Sequence, residues 1–307
     1  MLRSLFKLSV ISTAFLTSVG LFAQTTAPTA APTLEGTPTG RSAVTSASRG
    51  RTPVPADQPS PRTDPNSQIA HTQLLEKARK GGIDIYFEGD SITRRWGASD
   101  PQYKDFLANW NQNFFGWNAA DFGWGADTIQ NILWRLSNGE LDGVNPKIIV
   151  LLAGANNVGG TPPADGDNAK IEDVTKGIKA TLDIMQQKAP RATIILMGIT
   201  PRNDAGGSTA IVATINKIND NISKFADGKR IRFLNINDKL ADTDGKLFDG
   251  MTVDRLHLSV KGYQVWADAL KPIFTELLGP PAKTDHAPTP TGDPSAQRPR
   301  NAAGTPQ

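Results

Sequence analysis

The chain has 307 residues, of which 38% are apolar, with 28 glycines, 22 prolines, three histidines, no cysteine and a net charge of +3. Without cysteine there is no disulfide scaffold, thiolate nucleophile, Cys-ligated zinc site or iron–sulfur cluster. The charge divides as +2 in residues 1–23, +1 in 24–66, −1 in 67–279 and +1 in 280–307, so the central part is nearly neutral and calls for no nucleic-acid partner.

Residues 1–23 carry Arg3 and Lys7, an apolar stretch from Leu8 to about Leu16, and a small residue, Ala23, before Gln24. This pattern predicts a secretory signal peptide cleaved after Ala23, hence a secreted or periplasmic protein. The apolar run is diluted by serine and threonine and is too short for a stable membrane anchor. Fifteen of the 22 prolines lie in residues 24–66 and 280–307, and both segments are poor in large apolar side chains. Both are expected to be disordered, a linker and a tail around one domain at 67–279.

Within the domain, short runs rich in β-branched residues alternate with longer segments of helical period. Strands are predicted at 83–88, 118–122, 148–153, 193–199 and 231–236. Helices are predicted at 102–111, 127–136, 171–188, 209–226 and 260–278. The strand runs are nearly continuous in hydrophobicity, as expected of strands covered on both faces. The alternation implies a three-layer α/β/α sandwich on a five-stranded parallel sheet, with any ligand at the carboxyl ends of the strands.

The first strand ends in Gly89-Asp90-Ser91, where a serine serves either as a helix N-cap or as a nucleophile. The second glycine of the α/β-hydrolase G-x-S-x-G elbow is missing. The second strand ends in Gly123-Trp124-Gly125-Ala126-Asp127, a turn whose backbone N–H groups can face a developing negative charge, or a tight turn with Asp127 as N-cap. It has neither a dinucleotide fingerprint nor a P-loop lysine, which disfavours a phosphate binder. The third strand ends in Gly154-Ala155-Asn156-Asn157, ordinary turn residues that place an amide donor at the same sheet edge. His71 precedes the first strand and His286 lies in the tail, so His257 is the histidine left for the sheet edge. In Asp254-Arg255-Leu256-His257 the carboxylate can accept from Nδ1 and leave Nε2 free to take a proton, or the pair is a structural contact. The combination with Ser91 favours the first reading.

These four blocks, in this order, resemble the GDSL, or SGNH, hydrolases. The stretch from Phe122 to Leu141, FGWGADTIQNILWRLSNGEL, is similar to the branch typified by the catalytic subunits of platelet-activating-factor acetylhydrolase. The resemblance spans residues 80–278 and implies the flavodoxin-like SGNH fold. It also implies Ser91 as nucleophile, His257 as base, Asp254 as its orienting partner, and an oxyanion hole from the Ser91 amide, the Ala126 amide and the Asn156 side chain. One departure stands out: the family's oxyanion glycine is Ala126 here, with Gly125 one residue earlier. The donor survives unless the turn requires positive φ, and the added methyl should narrow the acyl site toward acetyl. Asp90, Trp124 and Asn157, beside these groups, are candidate substrate contacts.

No cofactor or metal is required by this chemistry. The run Asp242 to Asp249 lacks the calcium-loop pattern and reads as a turn. The leading expectation is an exported serine esterase acting on short-chain, chiefly acetyl, esters of carbohydrates or small molecules, with Trp96, Trp110, Trp117 and Trp124 as possible sugar-stacking surfaces. The alternatives are a lysophospholipase or acyl-thioesterase of the same fold, which needs a longer apolar groove, and a non-catalytic carbohydrate- or envelope-binding domain.

Overall fold

A computed structural model of the chain describes residues 53–159, 167–204 and 209–297. Strand and helix alternate from the start. Helix α1 (Pro65–Lys80) begins on Asp64, whose side chain accepts from the Ser67 amide, with Pro65 at the first helical position, and stops at Gly81. Strand β1 (Ile85–Gly89) leads into the short α2 (Ser91–Gly97), then a 3₁₀ turn at Pro101–Tyr103 and α3 (Lys104–Phe114). After β2 (Ala119–Asp121) comes α4 (Ile129–Ser137), opened by a capping box in which Thr128 and Asn131 exchange hydrogen bonds. Then follow β3 (Ile148–Leu152), α5 (Asn168–Lys188), β4 (Thr193–Met197), α6 (Thr209–Ser223), β5 (Ile231–Leu234), the one-turn α7 (Asn237–Leu240) and α8 (Val260–Leu278).

The five strands form one all-parallel sheet in the order β2-β1-β3-β4-β5, the doubly-wound flavodoxin-like arrangement. Ile85 stands opposite Ala119 on one side and Ile148 on the other. Every residue of β1 and β3 is buried, which is why these strands read as continuous rather than alternating runs. Helices α2, α3 and α8 cover one face, while α4, α5 and α6 cover the other. The first layer is aromatic: Phe87, Trp96, Trp110, Phe114, Trp266 and Phe274 meet with ring centroids 4.7–6.3 Å apart, several edge to face. Trp96, Trp110 and Trp117 are at most 5% exposed, so they pack the core and offer no sugar-stacking surface.

The expected boundaries of the disordered segments need correction. Residues 53–66 and 280–297, read from composition as unstructured, lie against the domain. Ala56 is fully buried against Gly177, and its amide donates to Asp173. The Ser60 amide donates to the Gln130 carbonyl, and Asn131 returns a bond to the Ser60 carbonyl. On the other side Asp285 accepts from the Gly116 and Asn118 amides just before the edge strand β2, and Ala282 donates to Gly116. His286 sits in this segment, its amide bonded to Asn118. The segments are held by hydrogen bonds between backbone and polar side chains and by one small buried alanine, features that hydrophobic content does not register. The segments 1–23 and 24–52, including the signal-peptide reading, fall outside the described residues. Among the described residues no helix is long and apolar enough to cross a membrane.

Candidate active site

Three strand ends and the loop before α8 converge at the carboxyl edge of the sheet. The β1–α2 turn is tight: a Cβ on Gly89 would lie 2.5 Å from the Leu152 carbonyl oxygen, so only glycine allows β1 and β3 to close here. Asp90, not Ser91, caps α2, its Oδ1 accepting from the Ile92 amide at 2.9 Å. Ser91 is therefore relieved of the capping task and presents its hydroxyl at the first turn.

The Ser91 Oγ lies 2.8 Å from His257 Nε2, and His257 Nδ1 lies 2.7 Å from Asp254 Oδ2. Asp254 also accepts from the His257 amide at 2.8 Å and the Leu256 amide at 3.2 Å, which fixes the carboxylate relative to the ring. The loop is bent by Arg255, whose φ of 67° is in the left-handed region and whose carbonyl accepts from Asn203. Burial lowers the His257 pKa from its ordinary value of 6.5, and Arg95 pushes the same way, while the Asp254 hydrogen bond opposes. Burial pushes the Asp254 carboxyl up, yet the hydrogen bonds from His257 and Leu256 hold it below the usual carboxylate value.

The turn after β2 supplies the candidate anion donors. Neither the Ser91 nor the Ala126 amide has an intramolecular acceptor among the described residues. The Asn156 side-chain amide donates one hydrogen to the Asp127 carbonyl at 2.8 Å and has a second to offer. Ala126 has φ = 62°, while Gly125 has neither a positive φ nor any atom within 4 Å of a Cβ placed on it. The turn thus needs left-handed backbone where this chain carries alanine, and tolerates a side chain where it carries glycine. Ser91, Gly125, Ala126, Asn156 and His257 line one cavity of about 350 Å³, together with Arg94, Arg95, Tyr103 and Leu256. A larger cavity of about 450 Å³ lies elsewhere, between Pro201, Val212, Asp242 and Phe248, and contains neither Ser91 nor His257.

The three candidate substrate contacts fare differently. Asp90 is buried at the cap, one carboxylate oxygen without a partner, and burial pushes its pKa up to about 7. Asn157 is spent on structure, accepting from the Ile129 amide and donating to Gln130. Trp124 is partly exposed but donates its indole N–H to Ser67 and stacks under Arg94 at 4.8 Å. None of the three lines the cavity. Asp127, expected as an N-cap, instead pairs with Arg135 at 2.7 Å while Thr128 caps α4.

Arg135 is the group that the sequence reading missed. Fully enclosed, it pairs with Asp127, Glu88 (2.6 Å) and Glu140, and donates to the carbonyls of Phe122 and Gly89. It ties the end of β1, which carries the serine, to the turn that carries Ala126. Burial pushes the Glu88 carboxyl up against the pull of Arg135, with Glu140 adding to the rise. His71 sits 2.6 Å from Glu140 and joins this network. A signal was present: a lone arginine among the buried Ile132, Leu133 and Leu136, and a lone glutamate in an otherwise apolar strand. Arg62, from the segment before α1, donates to the Gly125 carbonyl at 3.0 Å and had no comparable signal. Among the described residues no group of three or more His, Asp or Glu side chains is placed to hold a metal ion.

Comparison with known proteins agrees with this architecture. Residues 87–265 match the model of the GDSL-like lipase/acylhydrolase family. The chain is 29% identical over 245 residues to the platelet-activating factor acetylhydrolase IB subunit alpha1 of Bos taurus, covering 78% of this chain and 97% of that one. It is 31% identical over 212 residues to the alpha2 subunit of Rattus norvegicus, covering 68% and 83%. A GDSL-like lipase structure from Bacteroides thetaiotaomicron superposes with a TM-score of 0.53 at 17% identity, over 68% of this chain and 98% of that one. The chain belongs to the GDSL-like lipase/acylhydrolase family.

Proposed function

We propose that this protein is an exported serine esterase that hydrolyses short-chain, chiefly acetyl, esters of small molecules or carbohydrates through an acyl-enzyme. The observation that carries the reading is the chain of hydrogen bonds from Ser91 Oγ through His257 to Asp254, opening into a cavity shared with the Ala126 amide and Asn156. His257 Nε2 takes the Ser91 proton as Oγ attacks the ester carbonyl. The Ser91 and Ala126 amides and the free Asn156 hydrogen stabilise the oxyanion. His257 then protonates the departing alcohol, and water enters by the same steps in reverse order to release the acid.

Two features favour a short acyl group. Among the described residues the apolar side chains that line the cavity are Ala126, Leu256 and Tyr103, little surface for a long acyl chain, and Ala126 narrows the oxyanion turn by a methyl. The curated relatives are named acetylhydrolases, which agrees with this size. The carbohydrate reading keeps Tyr103 as a ring face in the cavity, since Trp124 is covered by Arg94 and Trp96, Trp110 and Trp117 are core. The N-terminal pattern of residues 1–23 supports export. The test is acid release from a panel of aryl acetates, acetylated oligosaccharides and lysophospholipids. Ser91→Ala should abolish turnover with the unfolding midpoint nearly unchanged; retained turnover excludes the mechanism, and preference for lysophospholipids favours the lipid-directed alternative.

A further inference from the structure

Among the described residues the wall of the cavity carries two arginines, Arg94 and Arg95, and no carboxylate, although the domain around it is almost neutral. Both follow Ser91 on α2, and both guanidinium groups come near the Tyr103 ring, at 6.0 and 5.5 Å from its centroid. Arg94 gives its Nη2 to Asp100 at 2.8 Å and lies over Trp124, which fixes its plane. Its other nitrogens have no acceptor among the described residues. Arg95 makes one long contact, 3.4 Å from Nη1 to Asp254 Oδ2. The Arg94 side chain is 13% exposed and the Arg95 side chain 23%, and both border the cavity.

The position of Arg95 specifies which part of a substrate it meets. It touches the Asp254 oxygen that His257 Nδ1 engages, so it stands on the imidazole side of Ser91. The imidazole delivers its proton to the leaving alcohol, and the alcohol must lie over that side. We propose that Arg95, with Arg94 beside it on α2, binds an anionic oxygen group, carboxylate or phosphate, on the alcohol portion of the ester, so that the substrates are short-chain esters of acidic alcohols. This rests on the esterase reading above. The chemistry is ordinary acyl transfer: the Ser91 Oγ–acyl bond forms, the acyl–alkoxide bond breaks, and the Ser91 proton passes through His257 to the departing acidic alcohol. Arginine suits the role because it stays charged throughout the working pH range and presents a planar fork to carboxylate or phosphate oxygens.

The experiment compares three acetates of similar size: 2-acetoxyethanol, 3-acetoxypropanoate and 2-acetoxyethyl phosphate, with acetate release measured for the full chain. A charge-assisted hydrogen bond contributes about 10- to 100-fold in affinity. At least one anionic ester should therefore exceed the neutral one about tenfold in kcat/KM, mainly through KM, and the better of the two identifies the oxygen group. The advantage should shrink as salt rises from about 0.02 to 0.5 M. Arg95→Gln should reduce the anionic-to-neutral ratio about tenfold, and Arg95→Lys should recover part of it, with the unfolding midpoint of each variant as a control for folding. Using the ratio removes any effect of Arg95 on the Asp254 carboxylate that both ester types share. Equal kcat/KM for all three esters overturns the proposal and leaves the esterase reading intact. Failure to hydrolyse these three and an activated aryl acetate as well overturns both.

Discussion

Replacing Ala126 with glycine tests the site at its most unusual residue. Ala126 holds φ = 62° at the turn proposed to supply an oxyanion donor. An L-residue in this region is disfavoured by about 1–2 kcal/mol. Glycine removes that strain but adds freedom to the unfolded chain, which costs about 0.5–1 kcal/mol. The net gain is about 0–1.5 kcal/mol, centred on about 0.75, and at ~2–4 °C per kcal/mol for a domain of this size the unfolding midpoint should rise by about 2–3 °C and by no more than about 6 °C. The strain persists because neighbours hold the turn on several sides: Arg62 on the Gly125 carbonyl, Asn156 on the Asp127 carbonyl and Arg135 on the Asp127 carboxylate. The same methyl borders the cavity. Its removal should widen the acyl site, raising the ratio of butyryl- to acetyl-ester kcat/KM by up to about tenfold, since one methylene of fit is worth ~10–200-fold. Differential scanning calorimetry and paired aryl-ester kinetics measure both effects. A lower midpoint would refute the strain argument, and an unchanged acyl-length ratio would refute the role of the methyl as a wall.

Other perturbations read the rest of the site. Asn156→Ala removes one oxyanion donor and should lower kcat by ~10²–10³ with a small change in midpoint; a loss under threefold would remove Asn156 from the hole. Arg62→Ala frees the Gly125 carbonyl and should lower kcat several-fold, with KM for an aryl acetate little changed. Because Arg62 is part-exposed, its ion pairs contribute at most about 1 kcal/mol, and a midpoint drop larger than a few degrees would show a structural role instead. The base must be neutral imidazole, and burial lowers the His257 pKa. The acid limb of kcat/KM should therefore have its midpoint below pH ~6.5 and rise to a plateau above it. A midpoint above pH 7 would argue against His257 as the base in this environment.

What could be read along the chain was what local pattern carries. Five apolar runs separated by helical segments specify a doubly-wound parallel sheet, because strands covered on both faces must be continuously apolar and parallel strands need crossovers. The order of GDS, the glycine turn, GANN and DRLH, with His257 the histidine remaining near the sheet edge, singled out Ser91, His257 and Asp254, which the structure brings within 2.8 and 2.7 Å. Contacts between segments far apart in sequence left no such trace. Composition marked residues 53–66 and 280–297 as unstructured, yet hydrogen bonds to Gln130, Gly116 and Asn118 dock them on the domain. Proximity along the chain made Asp90, Trp124 and Asn157 look like substrate contacts, while folding turned the first into a cap, the second into a support for Arg94 and the third into a brace for α4. The sign of φ at Ala126, the burial of Arg135 among three carboxylates and the placement of Arg94 and Arg95 beside Ser91 in the cavity wall were decided by tertiary packing alone. Backbone conformation, desolvation and charge proximity depend on what surrounds a residue in space, and its neighbours in sequence do not specify them.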